Sequence, residues 1–167
     1  MIKRICVIAL LVAAFMPSFG QHIAISTVDE MKKLGLTFPH LDSVYRPAVD
    51  VDTVREEFKT LAEQHAIGSA YVRMLKDFGS YLAINNFTWD KKTLGWDKVY
   101  FNADGTIDYF FFGFDAKNMA PEDMPDDVRV NEFKRILTLF IRDYKLPIKA
   151  RDKFNDSSPT VYEPTKQ

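Results

Sequence analysis

Apolar residues recur along this chain with two different periods, and the switches between them mark its predicted elements. Val54, Phe58, Leu61, Ala62 and His65 follow helical spacing. Thr53 and Glu56 stand at the separation of a capping box, in which each side chain satisfies the other's free backbone donor, and Gly68 suits the helix stop. Ser69 opens a second predicted helix with Tyr71, Leu75, Phe78 and Leu82 on one stripe, weakened near its end by Gly79-Ser80. Val130, Phe133, Ile136, Leu137, Phe140 and Tyr144 make the stripe of a third helix, capped by Asp126 or Asp127 and ended by Pro147.

Between Trp96 and Phe114 the period is two. Val99 and Phe101 alternate with Lys98, Tyr100 and Asn102, and Ile107, Tyr109 and Phe111 alternate on the return. Ala103-Asp104-Gly105 predicts a three-residue turn with Gly105 at the position that needs positive φ. Pairing Asn102 with Thr106 sets Phe101 opposite Ile107 and Val99 opposite Tyr109, which puts five apolar side chains on one face. These are expected against Phe133, Leu137 and Phe140. The other face is polar near the turn and then carries Phe110, Phe112 and Phe114. An exposed aromatic row needs a cover: the N-terminal arm, the C-terminal segment, a partner chain or a ligand. Tyr100, Phe110, Phe112 and Phe114 therefore form the candidate interaction surface, with partial cover by the arm and a smaller patch left around Phe112 and Tyr100.

Residues 21–50 contain Gly35, Pro39 and Pro47 and read as an irregular arm with a short strand near Leu41 to Tyr45. A last strand is expected around Thr160 to Tyr162. The order helix, helix, strand, strand, helix, strand predicts an α+β fold: a small antiparallel sheet built on the 96–114 hairpin, with helices packed on one face. The expected organisation is an arm over 21–48, a single domain over 49–162 and a flexible tail over 163–167.

The first twenty residues change the picture of where the domain works. Lys3 and Arg4 precede an apolar run from Ile5 to Phe15, Pro17 breaks it, and Ser18-Phe19-Gly20 places small residues where a leader peptidase reads. The run is about half of the ~20 residues that span a bilayer. Residues 1–20 are thus expected to be a signal peptide, the mature chain to begin at Gln21 in the periplasm or outside the cell, and no stable membrane anchor to remain after cleavage.

Of 22 basic residues, Lys3 and Arg4 leave with that segment, so 20 face 23 acidic ones and the net charge is near −3. No basic excess is left to neutralise phosphates, which argues against nucleic acid. The single cysteine, Cys6, lies in the same segment, so the mature chain has no internal disulfide and depends on packing. Asn102-x-Asp104-Gly105-x-Ile107 imitates part of a calcium loop, but the first and twelfth ligand positions fall on Tyr100 and Phe111. His22, His40 and His65 have no second ligand at metal spacing, and His65 reads as a structural histidine. Glu56-Glu57, Glu122-Asp123 and Asp126-Asp127 read as capping and dipole groups at helix starts, not as opposed catalytic carboxylates. No catalytic residue, metal or cofactor is expected.

Lys98 to Phe110 (Lys-Val-Tyr-Phe-Asn-Ala-Asp-Gly-Thr-Ile-Asp-Tyr-Phe), followed by the helix ending Phe140-Ile-Arg-Asp-Tyr-Lys-Leu-Pro147, resembles a family of small exported proteins of Bacteroidetes. More distantly, residues 96–162 are similar to the strand–turn–strand–helix core of TonB-type energy-transducer C-terminal domains. The chain departs from an energy transducer in having no retained anchor and no Pro-rich spacer, so the resemblance implies a similar domain shape and carries over no catalytic residue.

The expected function is an exported, non-enzymatic binding or interaction module whose partner is another protein or a second copy of itself. The rival readings are a binder of a small apolar or saccharide ligand, and an enzyme using dispersed carboxylates or His65.

Overall fold

In the computed structural model, which describes residues 21–164, the fold is α+β. The expected signal peptide and the last three residues lie outside the described residues. Thr60 and Glu63, not Thr53 and Glu56, form the capping box that opens the longest helix, Leu61–Ile84, the third in chain order (α3). From Leu61 onward the two predicted helices are one, whereas residues 53–60 are turn and loop and the expected stripe residues Val54, Leu61, Ala62 and His65 are exposed. Ile67, Ala70, Tyr71, Met74, Phe78 and Leu82 make a continuous buried stripe through Gly68 and Gly79. Each interior glycine costs about 1 kcal/mol relative to alanine, whereas each large buried side chain returns about 1.5–3 kcal/mol, so the stripe wins. Asp126 caps the fourth helix, α4 (Asp127–Asp143), by accepting from the Arg129 amide at 2.7 Å. Phe78 of α3 meets Phe133 and Phe140 of α4 at ring distances of 5.3 and 5.1 Å.

The sheet has five strands in the order β1-β4-β3-β5-β2. β3 (Thr93–Phe101), β4 (Ile107–Phe114) and β5 (Phe154–Tyr162) are antiparallel. β1 (Ile23–Ile25) and β2 (Arg46–Pro47) add short parallel edges on β4 and β5, so the sheet is mixed. The segment 21–48 is therefore regular: between its two strands lie α1 (Val28–Lys33) and α2 (Phe38–Val44). The strand expected near Leu41 to Tyr45 is helix instead, begun by Thr37, which accepts from the His40 amide, and by Pro39 in the first turn. Gln21 and His22 are tied to the sheet through the Tyr109 hydroxyl at 2.6 Å and the Ile107 carbonyl at 2.7 Å.

The hairpin turn forms as read. Gly105 has φ +91°, and a Cβ there would stand 2.3 Å from the Leu146 carbonyl oxygen. Phe101 faces Ile107, but the register then slips: Tyr100, not Val99, pairs with Tyr109. Asp108 is the extra residue of a β-bulge. It is buried, accepts from the Tyr45 hydroxyl at 2.7 Å and the Asn102 amide at 2.6 Å, and pairs with Lys153 at 3.1 Å. Beyond the bulge the faces exchange. Val99, Phe101, Ile107, Phe110 and Phe112 pack under α3 and α4, while Tyr100, Tyr109 and Phe111 pack under α1 and α2 with Met31, Leu41 and Tyr45. Helices thus cover both faces of the sheet, not one.

Candidate ligand cleft

The residues expected to form an interaction surface are interior. Tyr100, Phe110 and Phe112 are buried and Phe114 is half-buried. Phe110 and Phe112 belong to the core under α3 and α4, with Phe112 5.0 Å from Phe133, and Tyr100 lies in the core under the N-terminal helices. The bulge turns Phe110, Phe112 and Phe114 under α3 and α4, so the expected cover by the arm falls on Tyr100 and not on the aromatic row. His65 faces solvent on α3 and meets no acidic partner at hydrogen-bond distance. Among the described residues, no group of three His, Cys, Asp or Glu is arranged to hold a metal ion.

A different concave site lies where α3 crosses the end of β5. It is a cleft of about 460 Å³, within the ~300–1,000 Å³ of small-molecule sites. Val72, Leu75 and Leu82 line it from α3, and Phe87 and Trp89 close its end from the α3–β3 connection. Thr160 and Tyr162 of β5 form the opposite wall. Gly79 leaves the helix side open, because a Cβ there meets nothing within 4 Å.

The β5 wall is held from behind by one carboxylate. Asp97 of β3 has no exposed surface and accepts from Thr160 Oγ1 at 2.6 Å and from the Tyr162 hydroxyl at 3.0 and 3.1 Å. Gly95, two residues earlier on the same face, lets the Tyr162 ring lie against β3, 3.1 Å from where a Cβ would stand. Burial pushes the Asp97 carboxyl up to about 6, against the opposing pull of its two hydroxyl donors. Burial likewise pushes the Tyr162 hydroxyl up, helped by the neighbouring Asp97 charge. The Tyr71 hydroxyl of α3 comes close to Ser158 Oγ on β5, yet neither completes a hydrogen bond, and Trp89 Nε1 is likewise buried without an acceptor. Asp97 is sealed behind Thr160 and Tyr162, so it shapes the wall without itself lining the cleft.

Two smaller hollows differ in character. One, of about 160 Å³, is ringed by Asp90, Lys91, Asp123 and Arg129, whose charges pair with one another. The other, of about 190 Å³, lies between α1, α2 and the sheet and includes Phe38, Phe111 and Trp96, a residue 42% exposed.

The sequence reading placed Val72, Gly79 and Leu82 on one predicted helix, but it missed the cleft because nothing local says which strand that helix lies over. Asp97, Ser158 and Thr160 alternate with neighbours as solvent-facing strand residues do, and nothing local says that α3 roofs them. Comparison with protein-family models, with curated proteins and with solved structures finds no match for this chain.

Proposed function

We propose that this protein is an exported binding module that holds a small, predominantly apolar ligand in the cleft between α3 and the end of β5. One observation carries the reading: an open, apolar-walled cavity of about 460 Å³ whose far wall is fixed by a buried carboxylate. A site of that size on rigid elements is pre-organised, so ligand entry needs little ordering of the protein. Export is supported by the signal-like pattern of residues 1–20. The resemblance to exported Bacteroidetes proteins is consistent with that location and assigns no ligand.

The chain has two tryptophans, so Trp96→Phe leaves Trp89, at the cleft's end, as the only one. Titrating octanol into that variant should change Trp89 emission saturably. Adding Gly79→Leu, at a position where a Cβ meets nothing within 4 Å, should abolish the change, with an unchanged circular dichroism spectrum showing that the fold is kept. A response that is absent, or that survives Gly79→Leu, argues against the cleft.

A second reading, self-association, is favoured by Trp96, a large aromatic residue 42% exposed beside Phe38 and Val28. Sedimentation equilibrium of the wild type and Trp96→Ser distinguishes it: a dimer lost in the variant supports this reading, and a monomeric wild type removes it.

A further inference from the structure

The charges around the cleft separate its two ends. Glu163, the carboxylate among the cleft-lining residues, stands 3.6 Å from Lys92, and Asp77, next to Lys76 in the chain, stands 4.0 Å from Arg73 and accepts from the Tyr144 hydroxyl. Lys76, which lines the mouth, pairs with no carboxylate among the described residues. Its neighbours one turn away on α3 are Val72, Arg73, Gly79 and Ser80, none of them acidic, and Gly79 leaves room beside its stem. The mouth therefore carries one uncompensated positive charge. The opposite end is closed by Phe87 and Trp89, and the Asp97 carboxylate stands behind Thr160 and Tyr162. A second negative charge driven into that end would meet apolar walls and a like charge, at a cost in both desolvation and repulsion.

We infer that the cleft takes a free amphiphile with an aliphatic or aromatic body and a single anionic head, held body-inward with the head at Lys76. The inference rests on the reading of the cleft as a ligand site and adds the ligand's class and orientation. An ion pair at a solvated mouth contributes modestly, about 0.2–1 kcal/mol, so selectivity is read from matched heads on one body and not from absolute affinity.

Octanol, octanoate and octylammonium are titrated against the Trp96→Phe protein at low salt, with Trp89 emission as the readout. Octanol should bind, and octanoate should bind about threefold or more tighter than octylammonium, an advantage that shrinks as added salt screens the pair. Lys76→Glu, at an exposed position on α3, should invert that ratio, and Lys76→Arg should keep it. Octylammonium binding as tightly as octanoate, or a ratio unmoved by Lys76→Glu, overturns the inference while octanol binding leaves the cleft standing. Failure of all three ligands overturns the cleft and the inference together. The same headgroup chemistry occurs in anionic lipids, so vesicles of phosphatidylcholine with phosphatidylglycerol form a separate arm. No Trp89 response to vesicles supports a free ligand, and a response to vesicles alone contradicts it.

Discussion

The Tyr162 hydroxyl donates to both carboxylate oxygens of Asp97, at 3.0 and 3.1 Å, and so fastens the last residue of β5 to the centre of the sheet. The arrangement has a thermodynamic signature. Burial raises the Asp97 carboxyl from 3.8 to about 6 in the fold. A carboxyl raised on folding binds its proton more tightly in the native state than in the unfolded one, so lowering the pH from about 6 towards about 4 stabilises the protein through this group. Asp156, also raised by burial, acts in the same direction. At neutral pH the buried charge is a cost, on the order of 3 kcal/mol for a shift of this size. Asp97→Asn keeps an acceptor and adds donors that the rotatable Thr160 and Tyr162 hydroxyls can meet. Urea unfolding should show the variant about 1–2 kcal/mol more stable at pH 7.5, with the gain shrinking by pH 5. A variant less stable at both pH values would mean that the ionised carboxylate is the better partner.

Phe112 provides a second test, because two opposed outcomes attach to it. On an exposed interaction face, Phe112→Ser would spare the fold. Phe112 is instead 3% exposed and packed on Phe133. The expected result is a loss of about 3–5 kcal/mol, as for other truncated buried phenylalanines, with no selective effect on association. Phe101→Ala, at a fully buried position stacked 4.9 Å from Phe154, should cost a similar amount. A loss below about 1 kcal/mol in both variants would contradict the packing of this hairpin face under α3 and α4.

The hairpin also shows how far the sequence could be read. Its turn was legible because Gly105 must take positive φ and admit the Leu146 carbonyl beside it, and that demand is local. Its faces were not. Tyr109, Phe110, Phe111 and Phe112 are all apolar, so the hydrophobic pattern is satisfied in either register, and the choice falls to Asp108, whose partners Tyr45 and Lys153 come from distant segments. The first long helix failed for a related reason. Thr53-Val-Arg-Glu56 and Thr60-Leu-Ala-Glu63 are equally good capping boxes as strings. Only tertiary contacts take Glu56 and Glu57 out of the running: Glu57 accepts from the Arg151 amide at 2.6 Å, and Glu56 accepts from the Gln64 side chain at 3.2 Å. The third predicted helix was legible in its buried stripe and in Asp126, one of its two candidate caps, although it stops at Asp143, with Tyr144 already extended, ahead of Pro147.

The proposed export makes its own prediction. Protein recovered from its native host should have Gln21 as its first residue, in open form or cyclised with loss of ammonia, and intact mass spectrometry resolves these species. Met1 retained on the exported protein would contradict cleavage. In the fold Gln21 already receives the Tyr109 hydroxyl through its side-chain oxygen, so a chain beginning there should melt at the same temperature as one carrying extra residues before it.

The central claim is that the space between α3 and β5 binds an apolar molecule, and amide NMR maps that most directly. On adding octanoate to isotopically labelled protein beginning at Gln21, the amides of Val72, Gly79 and Tyr162 and the Trp89 indole should shift together along one saturable curve, while the Trp96 indole stays in place. Shifts centred on Trp96, Val28 and Phe38, or no saturable shift at any concentration below micelle formation, would contradict it.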